Sequence, residues 1–146
     1  MSQAEAAAAL LRNRGIRTVV SSPLDRARHT ARIVGEALGL PVAVEPDLRE
    51  VSFGVQEGQP MGDWFHGWID GRFTPDGAEP FIQLRHRAVG AVNRALEGTA
   101  PVLVVAHGGL FRALRDAMGV SRHERTPNAA PFFCEPGPPW TLTAYA

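Results

Sequence analysis

The sequence contains no lysine. All 15 of its basic residues are arginine, and 15 acidic residues balance them to a formal net charge of zero. That balance argues against a broad basic footprint of the nucleic-acid-binding kind, although local patches are still allowed. Arginine also suits bidentate phosphate binding better than lysine does. Cysteine is nearly absent: Cys134 stands alone, which excludes an intrachain disulfide and leaves it as a packed strand residue. No apolar run approaches the ~20 residues of a membrane span. No charged start followed by an apolar core marks a secretory signal, so a cytoplasmic location without membrane contact is expected.

What is present suits one domain over residues 1–146, with 45% apolar and 21% charged residues. A chain of this size buries roughly 68–70% of its unfolded surface and needs no covalent staple. Ser2 and Glu5 fit a capping box for an Ala/Leu-rich opening helix, with Gly15 as its expected stop. Strands are read at 17–21 and 42–45, with a helix over 24–39 closed by Gly39. Residues 46–60 form a glycine-rich ordered loop, and the aromatic stretch 61–71 forms a short helix. Phe81, Leu84, Ala88, Val92, Ala95 and Leu96 recur at helical spacing, which predicts a long helix over 78–98 with Pro80 in its first turn. The strongest strand is 101–107, followed by a helix over 108–119 that stops at Gly119. Two last strands, 130–135 and 140–146, are joined so closely that they read as an antiparallel hairpin. Strands alternating with helices predict a mostly parallel α/β sheet.

In open α/β sheets, ligands sit beyond the carboxyl ends of strands. Two such ends carry chemistry here. In "VVSSPLDRARHTA" (19–31) a strand runs through two serines and a proline into a helix whose first turn holds Arg26. In "VVAHGGL" (104–110) a strand delivers His107 to Gly108 and Gly109 at another helix start. An arginine, a histidine and exposed helix N-terminal amides converging on one crevice describe a phosphate-sized site. Each element alone is ordinary, as is Glu50 in "LREVSFGVQEG".

Together, "SSPLDRARHTA", "LREVSFGVQEG" and "VVAHGGL" follow the order and spacing of the histidine phosphatase superfamily. The chain resembles its phosphoglycerate mutase-like branch over nearly its whole length. "PDGAEP" (75–80) resembles that family's Gly-Glu-Ser segment, with Pro80 in place of the serine, and "TPNAA" (126–130) its Asn-containing entry to a late strand. The resemblance implies a three-layer α/β/α fold and phosphoryl transfer through a phosphohistidine, without metal or cofactor. It implies that Arg26 and the Gly108 amide bind phosphate, that Glu50 is the general acid, and that His107 is the second histidine beside the phosphoryl group. It also implies a small phosphate ester as partner.

One part of the family pattern does not occur. No Arg-His-Gly triplet, the family's nucleophile motif, stands anywhere in the sequence. The expectation is therefore a domain lacking the family's first strand, holding phosphate but nearly inactive. His29 and His86 follow arginines but fall inside helices, and His66 and His123 read as loop or surface residues. Three readings stand: a family enzyme whose start lies upstream, a short phosphate-ester-binding protein, and an interaction protein with a vestigial site. The first is favoured. The unpaired strand edge leaves two outcomes open, direct pairing of 101–107 with 130–135 or a homodimer. The short 46–80 segment favours phosphatase over mutase. Trp64, Phe65 and Trp68 either cover the pocket or pack as core, the second being expected.

Overall fold

A computed structural model describes residues 2–145. The β-branched runs become short strands: β1 (Thr18–Ser21), β2 (Val42–Val44) and β3 (Val102–Val105). They pair in parallel in the order β2-β1-β3, with β1 central. Central position explains why Val19, Val20 and Ser21 are all buried. Crossovers between parallel strands need helices: α2 (Asp25–Leu38) joins β1 to β2, and α3 (Asp63–Ile69) and α4 (Phe81–Ala95) lie between β2 and β3, while α1 (Gln3–Leu11) precedes β1 and α5 (Gly108–Ala117) follows β3.

The two-residue period of the strands sorts their side chains into two layers. Val20, Val102 and Val104 pack with Leu48, Ala88, Ala91, Leu110 and Leu114 beneath α4 and α5. Leu103 packs on the other face with Ala8, Leu11 and Val34 of α1 and α2. The expected three-layer α/β/α arrangement is what the chain adopts.

The last two strands, β4 (Phe132–Glu135) and β5 (Thr141–Ala144), form the expected antiparallel hairpin. They make a separate two-stranded sheet. Direct pairing of β3 with β4, one of the two outcomes left open, does not occur: β3 has β1 on one side and no strand on the other among the described residues. The hairpin is fastened to both helical layers instead. Phe132 lies 5.8 Å from the Phe111 ring of α5, and Tyr145 joins the α1–α2 cluster beneath the Arg14 guanidinium. Cys134 is a half-buried β4 residue, as expected, and burial pushes its thiol pKa up.

Helix ends follow the sequence with two corrections. Ser2 caps α1 by accepting the Glu5 amide, and Gly39 and Gly119 take the left-handed conformation after α2 and α5. The expected stop of α1 at Gly15 is not observed. The helix ends at Leu11, because Arg12 is already extended and Asn13 takes a positive φ of 61°. Asn is one of the few non-glycine residues that tolerates this region. Pro80 is the N-cap of α4, one position before the turn predicted for it.

Candidate functional site at the carboxyl edge of the sheet

Parallel pairing in register brings the ends of β1 and β3 level. The ladder runs one step past the strands, where the Ser22 amide donates to Val105 O at 2.9 Å. Both strands then turn into helices, so the N-termini of α2 and α5 lie at the same edge of the sheet. Such termini present unsatisfied N–H groups and favour negative charge.

His107 is the N-cap of α5, in extended conformation, and its ring is tied to the neighbouring strand end. Nε2 lies 2.7 Å from the hydroxyl of Ser22, which is wholly buried. The same hydroxyl oxygen accepts the Leu24 amide at 3.2 Å. Ser22 therefore fixes the ring and also forms the turn that starts α2. It is a site residue that the sequence reading passed over. The available signal was a serine directly before Pro23, placed to close a turn onto its own backbone.

Burial pushes the His107 pKa down, the Glu50 charge partly opposes this, and Arg26 adds to it. The unfolded chain then takes up a proton more readily than the folded one just below the ordinary histidine value of about 6.5. Stability contributed by neutral His107 is complete above that value and is lost as the pH falls through the folded pKa. Urea midpoints measured from pH 7.5 down to 5 should therefore fall, and His107→Gln should flatten the decline. An identical slope in the variant would show that this histidine is not the titrating group.

Glu50 closes the N-terminus of α5. Its Oε2 accepts the Gly109 amide at 3.0 Å, and its Oε1 accepts the Leu110 amide and its own neighbour Val51, each at 3.0 Å. His107 gives α5 no side-chain cap, so a carboxylate 59 residues away supplies it. Gly109 permits the approach: a Cβ there would stand 2.7 Å from Glu50 Oε1. At Gly108 the space is open, with nothing within 4 Å of a Cβ.

Arg26 sits in the first turn of α2, exposed, and no carboxylate pairs with it among the described residues. Leu24 gives α2 no side-chain cap. An open helix N-terminus with an unpaired arginine beside it is an anion-accepting arrangement. The structure thus brings Glu50, His107 and Gly108 together at the start of α5, with Arg26 near enough for its charge to act on His107. The other histidines lie on helices and loops: His29 in α2, His66 in α3, His86 in α4, and His123 at 3.5 Å from Asp70. No group of three or more His, Cys, Asp or Glu side chains clusters at metal-holding range among the described residues.

The aromatic stretch divides its roles. Trp68 is core, fully buried between Phe53, Phe65 and Phe81. Trp64 and Phe65 are half-exposed, and Phe65 lies under the Arg112 guanidinium at 5.3 Å. No helix is long and apolar enough to cross a membrane among the described residues.

A protein of Yersinia pestis (strain Pestoides F) named as a probable phosphoglycerate mutase, GpmB, is 33% identical over 135 residues, covering 83% of this chain. The chain spans only 62% of that relative's length. Among solved structures, one described as mycobacterial hydrolase 1 superposes with a TM-score of 0.79 at 29% identity, over 98% of this chain and 81% of that one. A mycobacterial glucosyl-3-phosphoglycerate phosphatase solved with VO3 superposes with a TM-score of 0.75 at 29% identity, over 96% and 81%. The family description that matches residues 1–129 is the histidine phosphatase superfamily (branch 1). A match over that much of the chain assigns it: the protein belongs to the histidine phosphatase superfamily.

Proposed function

We propose that the chain carries the phosphate-holding and proton-donating part of a phosphatase site for small phosphate monoesters. Arg26, the open α2 terminus, the Gly108 amide and His107 hold the phosphoryl oxygens. Glu50 delivers a proton to the leaving oxygen. The observation that carries the reading is the Glu50 carboxylate capping α5 beside His107, with Arg26 of α2 near enough for its charge to act on the histidine. His107 suits the task because its neutral ring hydrogen-bonds without bringing a third full charge, and positioned donors supply much of the stabilisation of phosphoryl transfer.

The solved relative named as a phosphatase supports hydrolysis over mutase chemistry, as does the short segment between β2 and α4. A cytoplasmic location goes with this reading. Covalent catalysis needs an attacking group held in line within about 3–3.5 Å of phosphorus. In this sequence no Arg-His-Gly triplet offers one. The 146 residues are therefore proposed to bind phosphate without turning esters over, as a phosphate-ester-binding protein would.

Two measurements test this. Hydrolysis of p-nitrophenyl phosphate by the purified chain should not exceed that of His107→Ala. Turnover that disappears in His107→Ala would sink the claim of inactivity. Inorganic phosphate, titrated while amide resonances are followed, should shift Gly108, and Arg26→Ala should weaken that binding about tenfold, the loss of one charge-assisted contact. An unresponsive Gly108 amide would remove the phosphate site.

A further inference from the structure

We propose that Arg87, on α4, is a positioning residue for Glu50. The proposal rests on the reading of Glu50 as the acid, and it concerns how that carboxyl is aimed. Glu50 lies in a stretch without regular structure, between a 3-10 turn at Pro46–Leu48 and another at Gly54–Gln56. Buried neighbours anchor this stretch from below: Leu48 is fully buried and Val51 nearly so. Apolar anchors fix depth, not the rotation of the peptide planes that decide where the residue between them points.

Arg87 supplies that rotation. Its Nη1 donates to Asp47 O and to Arg49 O, each at 2.7 Å. Arg49 O belongs to the peptide plane that ends at the Glu50 nitrogen, so the hydrogen bond fixes the plane from which the Glu50 side chain departs. The guanidinium is itself held. Its Nε donates to Glu79 Oε2 at 2.8 Å and its Nη2 to Glu79 Oε1 at 2.7 Å, a two-pronged pair with side chains only 10% and 18% exposed. Glu79 closes the other end of the stretch, since its amide donates to Ser52 O at 3.0 Å. The carbonyls of residues 47, 49 and 52 are thus pinned on both sides of Glu50. On the far side its carboxylate meets the Gly109 and Leu110 amides.

The geometry requires arginine. A planar fork can grip one carboxylate with two nitrogens while a third reaches two carbonyls; an ammonium is a single point of charge. Arg87→Lys keeps the charge and loses the division of labour.

The test reads the aim of Glu50 directly. In the unaltered protein the Gly109 and Leu110 amides donate to the Glu50 carboxylate, so introducing Glu50→Gln moves both of their resonances. In Arg87→Lys the movement should fall to less than half in both amides. Glu79→Gln, which loosens the grip without removing the arginine, should reduce it less and keeps the test open if Arg87→Lys does not fold. A role confined to stability would lower the melting temperature and leave the movement of both amides on Glu50→Gln intact; that result in either folded variant overturns the proposal. Phosphate is not used, so a failure of phosphate binding leaves this result readable by itself.

Discussion

Trp68→Ala should unfold about 3–5 kcal/mol more easily than the parent chain, the range for emptying a buried tryptophan site. In a domain of this size that lowers Tm by roughly 10 °C or more. The side chain has no exposed surface, and its ring meets Phe53 at 4.9 Å and Phe81 at 5.2 Å, edge to face. Its Nε1 also donates to Glu79 O at 2.8 Å, so the alanine leaves a part-buried carbonyl without its partner as well as a void. Trp64→Ala is the contrast. Trp64 is half-exposed and its Nε1 bonds Pro60 O near the surface, so its removal should cost about 1 kcal/mol or less. Urea unfolding of both variants checks the pair. Equal losses would mean the aromatic cluster is not anchored at Trp68.

The two adjacent glycines at the start of α5 should respond in opposite ways to alanine. Gly108→Ala should be neutral or stabilising by up to about 1 kcal/mol, because a Cβ there meets nothing and alanine favours the helix. Gly109→Ala should destabilise by about 2–3 kcal/mol. Its Cβ would come within 2.7 Å of Glu50 Oε1 and 3.1 Å of Glu50 Cδ, forcing the carboxylate off the two amides it accepts from. Each charge-assisted hydrogen bond lost is worth roughly 1.5–3 kcal/mol, part of which water restores at this partly exposed position. The cause can be isolated: in a Glu50→Ala background the cost of Gly109→Ala should largely vanish. If it persists there, the backbone and not the carboxylate demands glycine.

How much of this was legible in the sequence depends on how far apart the partners are. Gly39 and Gly119 end helices by a local rule, and both ends were readable from the residue type. Ser2 with Glu5 is equally local. The stop of α1 was misplaced because two residues, Asn13 and Gly15, can both take positive φ, and composition favours the glycine. Arg26, His107 and Gly108 stand out in the sequence at the ends of strands, and the resemblance to a family, carried by motifs contiguous in the chain, gives them and Glu50 their expected roles. Ser22 and Arg87 were not found, since each takes its meaning from partners far along the chain: His107 is 85 residues from Ser22, and Asp47 is 40 from Arg87. The absence of pairing between β3 and β4 was likewise beyond local patterns, because strand order is a property of the assembled sheet.

The span of those contacts has a consequence for how the protein acquires its site. The bond between Ser22 and His107 closes 85 residues of chain, and those between Glu50 and the start of α5 close about 60. Closing long loops is entropically uphill until the contacts they permit have formed, so topologies of this kind fold more slowly than local ones. No helical hairpin or strand pair of this chain contains the site in miniature. The site comes into being only with the β1–β3 pairing, and it dissolves when that pairing does. The Gly109 and Leu110 amides should accordingly exchange their hydrogens at the rate of global opening, together with the central strand, and not at the faster rate of a loop.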